Sequence, residues 1–99
     1  MIKNPSRVHV PGPLTPFAQG FVDWLVRHGY TPISATFQLH LMAHLSRWLT
    51  AEGLDVCGLS MTAVARFLTA RRRAGYTQYL SAKAMQPMLA ALCDLINDN

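Results

Sequence analysis

Cysteine is scarce in this chain: the 99 residues hold two, Cys57 and Cys93. Two cysteines cannot build the disulfide framework of a small secreted scaffold, and their spacing fits neither a metal knuckle nor a redox pair. Both read as free thiols in a reducing cytosol, with a single disulfide between them as the second reading. Acids are few as well, five Asp and Glu against nine Lys and Arg. No carboxylate pair, nucleophile–base pair or glycine-rich phosphate loop appears, so an independent enzyme is not expected. No apolar run reaches the length of a membrane span, and no hydrophobic segment follows the opening "MIKNPSRVHVPGP". Neither a membrane anchor nor a secretory signal is expected, and the localisation expected is cytoplasmic. Sustained alternation of polar and apolar residues is missing too, which removes the β-sheet from consideration.

What is present is a rich supply of apolar side chains, 51% of the chain, with only 14% charged. That is enough for one domain with a core and too short for a second. Residues 1–14, with Pro5, Pro11 and Pro13, read as an extended N-terminal arm, and residues 15–97 as the folded domain. Thr15 followed by Pro16 is a helix start, and Phe17, Phe21, Trp24, Leu25 and His28 recur at helical spacing before Gly29. Thr31 and Pro32 repeat the start signal for a long second helix reaching Glu52, whose stripe is Phe37, Leu41, Leu45, Trp48 and Leu49. Ser60 caps a third, with Leu59 and Val64 placed as a hydrophobic staple and "RRRAG" as its close. Ser81 caps a fourth, carrying Met85, Met88, Leu89, Leu92 and Ile96, with Pro87 expected to kink it or mark its entry. The fold class expected is all-α, a compact four-helix orthogonal bundle.

Charge is unevenly spread. Residues 59–92 hold Arg66, Arg71, Arg72, Arg73 and Lys83 and not one acid. Such a segment points either to an anionic partner or to a solvated helix face. Within "HLMAHLSRW", His40 and His44 lie one helical turn apart, but two ligands do not make a zinc site. The "HLSR" spacing also occurs in a phosphoryl-transfer box, yet it sits on the core helix with no cluster of cations around it, and is read as coincidence. Thr36, His40, His44 and Arg47 fall in a sector of about 80° beside the core stripe. They read as a half-exposed polar edge with His44 near Trp48, or else as a secondary phosphate-facing strip. Trp24, Trp48, Met42, Met85 and Met88 read as core, and Tyr76 and Tyr79 as residues packing beside a turn.

The order of landmarks, "RHGYTP" closing the first helix, "LSRWL" the second, "LSMTAVARFL" opening the third and "GYTQYLS" preceding the fourth, resembles a known family. It is similar to the N-terminal core-binding, SAM-like domain of tyrosine recombinases, the phage integrase family, over about residues 14–96. The resemblance implies a non-catalytic module that forms half of a clamp on duplex DNA, with a separate catalytic domain supplied in cis and a synaptic tetramer in the full protein. It requires no cofactor, and the isolated domain would be a monomer. By resemblance Thr31 is the cap of helix two, Ser34 a phosphate-facing hydroxyl, Gln38 a position where the family often has an aromatic, and Ser81 the cap before helix four. Lys83 and Gln86 fall on the first turns of that helix, one loop after Arg71, Arg72 and Arg73. Helix N-termini with nearby cations suit phosphate, so these nine residues form the expected DNA-binding set. The alternative from another class is a helical protein–protein interaction module, favoured by an exposed apolar patch on helix one and disfavoured by clustering of Arg71, Arg72, Arg73, Lys83 and Ser34 on one face.

Overall fold

The second helix organises the molecule. In a computed structural model describing residues 9–56, 59–76 and 82–97, a 3-10 turn, Gly12–Phe17, leads into α1 (Ala18–Arg27), α2 (Pro32–Ala51), α3 (Met61–Arg73) and α4 (Ala82–Asn97). The protein is an all-α bundle of four helices, with no strand among the described residues. The caps form where hydroxyl residues precede the apolar runs. Thr31 Oγ1 accepts the Ser34 N–H and Ser60 Oγ accepts the Ala63 N–H, each satisfying a donor that the first turn leaves open.

Three helices close in one way. The amide of the residue after the terminal glycine reaches five residues back: Tyr30 to the Leu25 carbonyl, Leu54 to Leu49 and Tyr76 to Arg71. Each glycine lies in the left-handed region, as this motif requires. In the first two closures the residue beyond the glycine is apolar or aromatic and packs toward the core. In the third, Tyr76 packs on a guanidinium, a substitution that matters below.

α2 buries ten of its twenty residues. At 100° per residue these run from Leu41 round to Thr36, an arc of about 220°, so the helix is a central post and not an amphipathic flank. The middle of that arc is Ala35, Met42, Ser46 and Leu49, all at or near zero exposure. The apolar stripe expected from the sequence is therefore offset from the true centre of burial. Leu41, Leu45 and Leu49 are core, but Trp48 is half-buried and Phe37 is 38% exposed. α1 packs on α2 and α4 and presents Gly20 to Leu95, where an added Cβ would stand 2.8 Å from a Leu95 methyl. Pro87 lies inside α4, which runs on to Asn97 without a break.

The N-terminal segment differs most from expectation. Thr15 does not cap α1; its hydroxyl donates to the carbonyls of Val10 and Gly12, and Pro16 sits inside the 3-10 turn. Nor do residues 10–14 behave as an extended arm, since Val10 and Leu14 are buried. Ser46 explains the docking: its buried hydroxyl accepts the Leu14 N–H at 3.1 Å and donates to the Pro11 carbonyl. A hydroxyl on the core face of a helix thus satisfies two backbone groups at the start of the 3-10 turn.

Gly12 makes the approach possible. Its φ is +80°, and a Cβ there would meet Thr50 Oγ1 at 2.7 Å and the Ser46 carbonyl at 3.1 Å. Gly29 has a similar φ of +83° but open space around it. Gly29→Ala should therefore cost only the left-handed penalty, about 1 kcal/mol. Gly12→Ala adds the steric conflict and should cost roughly 2–3 kcal/mol. Urea unfolding of both variants checks this, and equal losses would show that the turn is not held against α2.

Candidate functional site

The arc of α2 that faces away from the core carries Ile33, Phe37, His40, His44 and Arg47, all within a sector of about 80°. Its first half is apolar, with Ile33 56% and Phe37 38% exposed. Its second half is basic: His40 and Arg47 are exposed and His44 is half-buried. An exposed aliphatic–aromatic pair one turn apart, followed along the same face by two histidines and an arginine, is more apolar than an ordinary solvated edge.

At the basic end lies a stack that joins three elements. Tyr76, just past α3, places its ring 4.4 Å from the Arg71 guanidinium, while the Phe67 ring flanks that guanidinium at 5.8 Å. The Tyr76 ring also meets the His44 ring edge-on at 5.1 Å, and its hydroxyl lies 3.3 Å from His44 Nδ1. Stacking between two aromatic faces lets a cation be buried: Arg71 is only 7% exposed. His44 is held below the usual imidazole range, first by burial and then by the charges of Arg71, Arg47 and His40. His44, expected to pack near Trp48, makes its ring contact with Tyr76.

Of the nine residues expected to meet DNA, two are in the wrong place. Gln38 is 8% exposed, on the inner arc of α2, and Arg71 is enclosed by aromatic rings. Thr31 and Ser34 are joined to each other at the start of α2, the Thr31 hydroxyl also donating to Ser34 Oγ at 3.1 Å. Arg72, Arg73, Lys83 and Gln86 are exposed. Ser81, like Gln78, Tyr79 and Cys57, lies outside the described residues. The acid-free segment is also less positive in space than in sequence, because Arg66 pairs with Glu52 from the end of α2. Among the described residues no three His, Cys, Asp or Glu side chains gather to hold a metal ion. No described helix is long and apolar enough to cross a membrane.

A concavity of about 750 Å³ opens beside the end of α2, between Trp48, Glu52 and the outer face of α3. Arg66 lies over the Trp48 ring at 5.6 Å, so the most inviting aromatic surface of this groove is already covered by an ion-paired side chain. Elsewhere Trp24 donates through Nε1 to Asp94 at 2.9 Å and stacks on His28 at 3.8 Å, a contact that ties α1 to α4.

Comparison with protein-family models, with curated proteins and with solved structures finds no match to this chain. The terms that came with the resemblance, DNA binding, DNA integration, DNA recombination, tyrosine recombinase and SAM-like core-binding domain, are withdrawn on that finding. The burial of Gln38 and Arg71 points the same way. The resemblance rested on helix caps and apolar spacing, which any small helical bundle shares.

The sequence reading missed the exposed pair Ile33 and Phe37 and the Tyr76 stack. For the first a signal existed: Ala35, Ala43 and Ser46 mark the side where neighbours approach closely, which puts Ile33 and Phe37 outside. Gln38 supplies a test of the inner arc, since its Oε1 is buried without a hydrogen-bond partner. Gln38→Met, close in volume and without the orphaned oxygen, should raise stability by roughly 1 kcal/mol. Loss of stability in thermal unfolding would mean that the amide is satisfied in solution and that this arc is wet.

Proposed function

We propose that this protein is a helical protein–protein interaction module, whose outer α2 face receives an amphipathic acidic segment of another protein. The observation that carries the reading is the order of side chains on that face: Ile33 and Phe37 exposed at one end, His40, His44 and Arg47 at the other. Apolar anchors in such a segment would cover the first pair, and its carboxylates would lie along the basic half. The chain's net charge of +4 favours encounter with an acidic partner. Binding by one short helix face implies an affinity on the order of micromolar.

The test is selection from a displayed peptide library, followed by titration of the recovered peptides against the purified protein. Recovered sequences should combine aromatic or aliphatic residues with Asp and Glu. The double variant Ile33→Ser, Phe37→Ser should weaken their binding at least tenfold, and rising salt should weaken it further. Binding that survives this variant, or a selection that enriches no acidic apolar peptide, would overturn the reading.

A further inference from the structure

We propose that Tyr76 is an acid-sensitive latch that holds the end of α3 against the outer face of α2 while His44 is neutral. With the imidazole proton on Nε2, Nδ1 is free to accept the Tyr76 hydroxyl 3.3 Å away. The same phenol ring covers the Arg71 guanidinium, so one side chain bridges a histidine of α2 and an arginine of α3. Protonation changes both contacts. Nδ1 then carries a hydrogen, the hydroxyl must turn to become the acceptor, and an imidazolium stands beside a buried guanidinium. The charged groups acting on His44 are Arg71 of α3 and Arg47 and His40 of α2, all of them cationic or able to become so. No carboxylate stands among them to offset the new charge.

The sign follows from the direction in which His44 is held. Its folded-state value lies below the ordinary 6.5, so the unfolded or unlatched form binds the proton more readily. The closure is fully present above about pH 6.5 and weakens as pH falls below it. Opening lifts the ring from Arg71 and turns an enclosed cation into an accessible one, beside His40 and Arg47. That consequence, a more positive docking face in acid, rests on the proposed partner reading; the latch itself does not.

Tyr76 carries its own reporter, the amide bonded to the Arg71 carbonyl at 3.1 Å that closes α3. Amide exchange followed by NMR on the whole chain at pH 7.5 and 5.5, with intrinsic rates divided out, reads the latch with no peptide present. The Tyr76 amide should lose protection severalfold at pH 5.5, while Leu45 inside α2 should keep its own. In His44→Gln, which cannot charge, Tyr76 protection should be equal at the two pH values. Unchanged protection in the parent, or an equal loss in His44→Gln, would overturn the latch. Should that variant fail to fold, the parent decides: Tyr76 ring signals that shift with the His44 titration support the latch, and ring signals that ignore it reject it. A failed peptide selection with a working latch would remove the docking reading alone.

Discussion

Burial of α2 over more than half its circumference is the constraint on which the rest of the molecule depends. A helix packed on about 220° of its surface needs several neighbours. The 3-10 turn and α1 cover it directly, and Trp48 reaches Phe67 of α3 with ring centroids 5.8 Å apart. The docked N-terminal turn follows from that demand. Residues 10–14 close the core at the start of the 3-10 turn, where one α2 hydroxyl, that of Ser46, satisfies both Leu14 and Pro11. The same demand explains Gly12, since a closer approach of turn to helix leaves no room for a Cβ.

Much of the architecture was legible because capping is local. Thr31 and Ser60 announce their helices within four residues, and the glycine closures are as local. The start of α1 was not legible. Thr15–Pro16 has the form of a cap, but the buried positions of Val10 and Leu14 and the Thr15 bonds to Val10 and Gly12 pull it into a 3-10 turn, a tertiary effect without local signature. The α2 stripe was placed off centre for a related reason. Large apolar residues dominate a hydrophobic pattern, whereas Ala35, Ala43 and Ser46 contribute little to it and yet mark the side where neighbours come nearest. Among the site residues, reading charge along the chain overstated the basic surface. Glu52 and Arg66 are fourteen positions apart and meet only in the fold, and Arg71 disappears between two rings.

The outer arc of α2 then takes its meaning from the inner one. Because Ile33 and Phe37 belong to a helix packed by its neighbours, a partner bound there would meet a surface that is already helical. The other half differs in character: His44 is tied through Tyr76 to the end of α3, and in the proposed latch this part of the face changes with protonation while the apolar part does not. On the proposed reading, one helix supplies both the core and the surface that a partner would meet.

The division of α2 into a core arc and an outer arc is open to a direct measurement: thermal unfolding of Ile33→Glu and Phe37→Glu beside Met42→Glu. A carboxylate at Ile33 on the outer arc should leave stability within about 0.5 kcal/mol of the parent, as at other exposed positions, and one at Phe37 should keep the cooperative transition. At Met42, which has no exposure, it should abolish the cooperative transition, because a lone buried charge cannot be accommodated. Unfolding by Ile33→Glu or Phe37→Glu to the same degree as Met42→Glu would contradict the account and return that face to the core.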